Sequence, residues 1–146
     1  MEVFLVTPHT KDEDFDNKKS IVERILNKHK IKLNTAGKGV SLSANDTIKL
    51  YQKSDFFIAD ISLERPSCYY ELGYLQALKK RGFIISKENE KIHQLLNRDS
   101  IRFYNDLIDY EKMIERIAEE IAKEVWTKKL YAYYINLLNK YNCHLF

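Results

Sequence analysis

The sequence predicts an α/β fold: a three-layer sandwich of the flavodoxin or Rossmann type, with about five mostly parallel strands and a C-terminal helix. Three observations carry that reading. Short uncharged runs rich in Val, Ile and Phe recur at residues 3–6, 56–59 and 83–85, as strands buried on both faces require. Stretches with apolar residues at helical spacing separate them. At residues 59–78, ADISLERPSCYYELGYLQAL, a strand passes through a short turn directly into a helix.

Taken in order, residues 1–7, with Val3, Phe4, Leu5 and Val6, form the first strand, closed by Pro8. Residues 9–17 are polar and acidic, and Ile21, Val22, Ile25 and Leu26 then recur at helical spacing through KKSIVERILNKHK. Residues 31–35 alternate as a short second strand, and the loop after it carries Gly37 and Gly39, where backbone can turn tightly or approach a ligand. Ser43 is placed to cap a helix through Leu50 and Tyr51, with Ile48 and Tyr51 on one side. The third strand spans residues 55–61 and ends in Asp60, and the fourth spans 82–86. Residues 89–96 are expected to form a short helix and 101–104 an edge strand. Residues 109–126 set Met113, Ile114, Ile117, Ile121 and Val125 against Glu and Lys, the pattern of an amphipathic helix packed on the sheet.

The last twenty residues continue the helical pattern with Trp126, Leu130, Tyr133, Tyr134, Leu137, Leu138 and Tyr141, and hold four of the ten tyrosines. They either close the core or form a helix that binds a partner or joins copies in a homo-oligomer, since aromatic residues are enriched at interfaces. The division expected is a nucleotide-binding domain over residues 1–126 and a tyrosine-rich helical extension over 127–146.

Composition narrows the function. The chain has 146 residues, enough for one domain, with 45% hydrophobic and 31% charged residues. No run approaches the ~18–20 apolar residues of a membrane helix, and the N-terminus lacks a signal-peptide pattern. A soluble, cytoplasmic protein is expected. The net charge of +3 is mild and its lysines are scattered among acids, which argues against a dedicated nucleic-acid surface. Cys68 and Cys143 form neither a disulfide framework nor a zinc pattern, so no metal or cofactor is expected.

Within this frame Glu71 stands out. It is the only Asp, Glu, Lys or Arg between positions 65 and 79. Ser67 lies four residues before it, one too many for a capping box, and positions 74 and 75 are Tyr and Leu, so no helical ion pair forms. Either a distant base pairs with it in the core, or it works at a ligand. In the second case, an ionised carboxylate beside a sugar can act as nucleophile or stabilise an oxocarbenium-like transition state. Asp60, ending a buried strand, either caps the following turn or holds a ligand. Arg65 either grips a phosphate or is solvated. His9 is an acid or base or is simply exposed. Tyr69 and Tyr70 either stack on a base or fill the core. Cys68 lacks a histidine partner for thiolate chemistry.

Ligands of such folds bind beyond the carboxyl ends of the strands, where strand order reverses. Thr7, Pro8, His9, Gly37, Gly39 and the segment from Asp60 through Ser62, Arg65, Ser67 and Tyr70 to Glu71 are the groups placed there.

Three segments also carry a resemblance. VFLVTP at residues 3–8, SDFFIAD at 54–60 and, most specifically, RPSCYYELGY at 65–74 are similar to the first strand, the "sDxxIaD" strand and the "NPNVxYELGyA" helix start of the nucleoside 2-deoxyribosyltransferase-like proteins and their TIR-like relatives. The resemblance runs from Met1 to about Trp126. It implies an enzyme that cleaves or transfers an N-glycosidic bond of a nucleoside or (deoxy)nucleotide, with Glu71 attacking or stabilising the anomeric carbon and Asp60 contacting the nucleoside. It also implies a homo-oligomer, because these relatives build sites at subunit interfaces. Cys68, Glu71 and Leu72 satisfy the CxxEL pattern of TIR NADases, so NAD is an alternative substrate. A non-catalytic nucleotide sensor is another alternative, and a plain assembly domain a third. Ser67 stands where the family usually has Asn, and Leu75 and Gln76 replace its usual Ala-His, which alters pocket polarity.

Overall fold

The computed structural model describes residues 1–9, 12–36, 43–93 and 96–140. Five strands, β1 (Glu2–Val6), β2 (Lys32–Thr35), β3 (Phe56–Asp60), β4 (Arg81–Lys87) and β5 (Ile101–Tyr104), form one sheet of order β2-β1-β3-β4-β5, with every neighbouring pair parallel. Helices α1 (Phe15–Lys28), α2 (Ala44–Lys53), α3 (Pro66–Ala77) and α4 (Leu107–Lys140) complete a three-layer sandwich. The α/β class, the five strands and the C-terminal helix all agree with the sequence reading.

The period-two alternation of strand side chains divides the core. Val3, Leu5, Phe56 and Ile58 pack with Val22, Ile25, Ile114 and Ile117 beneath α1 and α4. Phe4, Val6, Phe57 and Ala59 pack with Tyr51, Leu72 and Leu75 beneath α2 and α3. Each fully buried Leu or Ile in these layers contributes about 1.5–3 kcal/mol. Strand order reverses between β1 and β3, which follow α-helical crossovers in opposite directions across the sheet. The carboxyl ends of these two strands are therefore the expected ligand position.

Local signals account for the element boundaries. Ser43 Oγ accepts the Asp46 amide at 3.2 Å and caps α2 as expected. In α3, Pro66 occupies the first turn, where its missing N–H costs nothing, and Arg65 before it is extended (φ −80°, ψ 121°). Helix α1 begins at Phe15, earlier than the Ile21 stripe indicates, because Phe15 and Lys18 are themselves buried on the face that carries Val22.

Two expectations change. No helix forms over the described part of residues 89–96: Asn89 takes a left-handed conformation (φ 65°), the chain turns there, and a 3-10 turn follows at Arg98–Ser100, capped by Asn97. The amphipathic helix of residues 109–126 and the terminal stripe as far as Leu138 are one continuous helix, α4, of 34 residues, about 50 Å long; Tyr141 lies outside the described residues.

Gly82 in β4 shows how tightly the sheet is closed. A Cβ there would overlap the Phe57 carbonyl and ring on β3. Gly82→Ala is therefore expected to destabilise the fold by about 1–3 kcal/mol, read as a lower urea midpoint at unchanged slope.

Candidate active site

Glu71 lies one turn into α3, half-buried on the side that faces α2. Its neighbour across that gap is the buried Tyr51, whose ring packs edge-on against Phe4 (centroids 4.7 Å apart) and tilted against Tyr74 (5.4 Å). Burial pushes the Glu71 carboxyl up to about 7, and the Tyr51 hydroxyl is the group that pulls it back. Among the described residues Glu71 makes no ion pair, so no core base neutralises it. Burial first, and the Glu71 charge second, push the Tyr51 phenol well above its ordinary value. Tyr51 therefore stays protonated and can donate to the carboxylate.

Asp60 presents a different environment on the opposite face of the sheet. Its side chain shares the parity of Phe56 and Ile58, and it is completely buried. Asp60 Oδ2 accepts from Lys18 Nζ at 3.2 Å and from the Tyr104 hydroxyl at 2.9 Å, while Oδ1 accepts the Ser62 hydroxyl at 2.6 Å and the Ser62 amide at 3.0 Å. Lys18 is 5% exposed and also reaches Asp12 Oδ2 at 2.8 Å and the Tyr104 hydroxyl at 2.7 Å. Burial alone would lower the Lys18 ammonium, but the Asp60 charge and the hydrogen bonds to Asp12 and Tyr104 hold it above its usual range. The same carboxylate shapes the chain that follows. By fixing Ser62 it sets a 3-10 turn in which Leu63 and Glu64 both have positive φ (65° and 46°), and this turn delivers Pro66 and α3.

A cavity of about 200 Å³ opens beside this network, with Asp12, Lys18, Ser62, Leu63, Lys87 and Tyr104 in its wall; Glu71 does not line it. The two carboxylates thus occupy opposite faces at the carboxyl edge of the sheet. They meet electrostatically at buried Cys68, whose thiol is pushed up to about 12 by burial first, then by Glu71 and Asp60. Cys68 is consequently no thiolate.

The other residues expected at the ligand are dispersed. Thr7, just beyond β1, has a buried Oγ1 without a hydrogen-bond partner among the described residues. Pro8 is buried; His9 is exposed, its ring 6.1 Å from that of Phe15. The Ser62 hydroxyl is engaged with Asp60, Tyr104 and the Lys87 amide. Arg65 is half-buried at the start of α3, Ser67 is exposed, and Tyr70 is 70% exposed while Tyr69 packs against the core, its hydroxyl accepting the His93 amide at 3.1 Å. Gly37 and Gly39 lie outside the described residues, as does Cys143. Among the described residues no cluster of three His, Cys, Asp or Glu side chains has the spacing of a metal site, and no helix is long and apolar enough to cross a membrane.

Sequence reasoning did not single out Lys18, Tyr51, Tyr104 or Asp12. One signal was present for Lys18: it stands on the apolar line of Phe15, Val22, Ile25 and Leu26, where a solvated lysine does not belong.

No protein-family model matches the chain, and no curated protein sequence matches it. Solved structures do. The Clostridium botulinum CMP N-glycosidase BcmB superposes with a TM-score of 0.63 at 16% identity, over 79% of this chain and 99% of that one. The 2-deoxyribosyltransferase of the psychrotolerant bacterium Bacillus psychrosaccharolyticus superposes with a TM-score of 0.51 at 17% identity, over 76% of this chain and 90% of that one. The chain, a five-stranded parallel sheet with helices on both faces, therefore resembles these two enzymes in fold.

Proposed function

We propose that the protein cleaves or transfers the N-glycosidic bond of a nucleoside or (deoxy)nucleotide, with Glu71 as the nucleophile. The observation that carries this reading is the state of Glu71: a half-buried carboxyl beside the switch point of the sheet, with no ion pair among the described residues, raised to about 7 by burial. Such an acid is costly to the fold, and perturbed groups of this kind concentrate where chemistry is done. The likeness of fold to a CMP N-glycosidase and a 2-deoxyribosyltransferase supports the same class of substrate.

In the reaction, a Glu71 oxygen attacks C1′ on the face opposite the base. The C1′–N bond breaks, its electron pair leaves with the base, and a proton neutralises the departing nitrogen. The glycosyl ester is then opened at C1′ by water, giving hydrolysis, or by the nitrogen of a second base, giving transfer, and the carboxylate is regenerated. Tyr51, held protonated, donates to the Glu71 oxygen and helps hold it in place. Asp60 works as a positioning residue through the Ser62 turn that launches α3. The Thr7 hydroxyl, which has no partner among the described residues, would cost about 1–3 kcal/mol if left so, and a sugar hydroxyl would satisfy it. The site residues belong to the unit of residues 1–126, and the active species is a homo-oligomer.

The test is release of free base from a panel of nucleosides, deoxynucleotides, CMP and NAD, with and without an acceptor base. Release from NAD alone would place the activity with the TIR-type hydrolases. Binding without any release would make the protein a nucleotide sensor and end the enzymatic reading. Because the attacking carboxylate must be ionised, and ionisation rises with pH through about 7, kcat/KM is expected to climb from acid to neutral pH with an apparent pKa near that value. A profile falling over the same interval would assign Glu71 to proton donation instead.

A further inference from the structure

The mild positive charge of the chain is not spread evenly over its surface. A cavity of about 450 Å³ opens at the amino edge of the sheet, where Asp55 leads into β3 and Arg81 begins β4, with α4 passing beside it. Among the described residues Lys79, Lys80, Arg81, Lys128 and Lys129 line it, and Asp55 is the one acid in its wall. The Asp55 carboxylate accepts the Glu2 amide at 2.8 Å, and Lys80 Nζ donates to the Gln52 carbonyl at 2.6 Å. Glu124 pairs with Arg81 and, at 2.7 Å, with Lys128. Five cations thus face two carboxylates. That surplus of three equals the formal net charge of +3 carried by all 146 residues. Lys79 and Lys129 make no ion pair among the described residues, which include every Asp and Glu of the chain.

Exposed rings adjoin this basic cavity. Beyond Glu124, α4 carries Trp126, Tyr131, Tyr133 and Tyr134, which are 65%, 69%, 61% and 57% exposed. They do not form one stripe. At about 100° per residue, Trp126 and Tyr133 share a side of the helix with the half-buried Leu130 and Leu137, while Tyr131 and Tyr134 turn away from it. Lys129 stands between Trp126 and Tyr133 along the axis, on the flank that lines the cavity. It joins the cationic wall to the rings.

We infer that this face binds single-stranded nucleic acid, with phosphates in the basic cavity and bases on Trp126 and Tyr133. Sites for single strands combine a cationic groove that follows the backbone with aromatic side chains on which bases stack. Other occupants fit less well. A second copy would set like charges against each other, and the cores of protein interfaces are depleted of lysine. An anionic bilayer meets only what protrudes from a surface, whereas a single strand is thin enough to enter a cavity between α4 and the sheet. The scatter of lysines that argued against a nucleic-acid surface belongs to the sequence; the turn from α3 into β4 and the second half of α4 bring these cations together. The face lies at the opposite end of the strands from Asp60, so the inference does not rest on the glycosidic reading.

Trp126 is the only tryptophan of the chain, so its fluorescence reports on the face directly. Titration of the full chain with a short single-stranded oligothymidylate should quench that emission to saturation. A duplex of the same length, its bases already stacked on one another, should bind more weakly and quench little. With about three phosphates neutralised, log K should fall against log salt with a slope of about −2, roughly a 20-fold loss over an about fourfold rise in salt. Lys79→Gln with Lys129→Gln should weaken binding about tenfold and flatten the slope by about 1.4. Trp126→Ala, followed by the anisotropy of a labelled strand, should weaken binding about tenfold at unchanged slope. All three side chains are exposed, so circular dichroism should not change. Inorganic polyphosphate and vesicles of phosphatidylserine and phosphatidylcholine are the competing probes. Polyphosphate binding as tightly as the strand, with no quenching by either, would reduce the face to bare charge. A blue-shifted emission with the vesicles and no response to the strand would make it a membrane surface. Either result overturns the inference, as does equal quenching by the duplex or an affinity indifferent to the three substitutions. Base release at Glu71 is untouched by all of these outcomes.

Discussion

Lys18→Met is expected to destabilise the protein by about 3–5 kcal/mol at neutral pH. Among the described residues the Lys18 ammonium is the only cation in contact with Asp60, which is completely buried, and it also neutralises Asp12 at 2.8 Å. Methionine retains the aliphatic stem against the Tyr104 and Tyr110 rings, which lie 5.1 and 5.6 Å from the ammonium nitrogen, but leaves two carboxylates without a counter-charge. Their protonation would relieve the repulsion, so the variant should recover part of its stability as pH falls, the reverse of ordinary acid denaturation. The double variant Lys18→Met with Asp60→Asn should be markedly more stable than Lys18→Met alone, because removing both charges is far less costly than orphaning one. Urea titrations of wild type, both single variants and the double variant at neutral and mildly acidic pH provide the measurement. Equal stability of the double and the Lys18 variant would show that the network is not an electrostatic unit.

The strands and the join from β3 to α3 were legible in the sequence because their signals are local. Uncharged runs mark strands covered on both faces, Ser43 caps its helix through the next turn, and Pro66 fixes a helix start. The helix expected near residue 90 is absent from the described residues for an equally local reason, the left-handed Asn89. The site was less legible. Asp60 and Glu71 are eleven residues apart, yet the pleat of β3 turns one towards α1 and the other lies on α3 across the sheet. That separation depends on strand parity and topology, not on spacing. The partners of Asp60 lie 42 and 44 residues away in sequence, and no periodicity announces a contact of that range.

Glu71→Gln is expected to reduce turnover by about 10³-fold or more and at the same time to stabilise the fold. The amide keeps the shape of the side chain and its contact with Tyr51, but it cannot attack C1′. Its effect on stability follows from the same burial that marks the residue. In the unfolded chain Glu71 ionises at its ordinary value of 4.5, whereas in the folded protein the carboxyl is raised to about 7. Below the first value both states are protonated and the glutamate costs nothing. Between the two the unfolded state loses its proton while the folded state keeps it, so stability declines as pH rises, and above the second the full cost is present. Glutamine carries no charge at any pH and escapes this cost. Allowing for the partial exposure of the side chain, the gain above neutrality is about 1–2 kcal/mol, or about 3–8 °C in Tm for a domain of this size, fading to nothing at acid pH. Thermal melts of both proteins across that interval, paired with base-release assays, separate the roles. A variant that is inactive and more stable only at neutral and higher pH has lost a strained catalytic acid. One that is inactive and less stable has lost a structural contact, and retained turnover would remove Glu71 from the chemistry altogether.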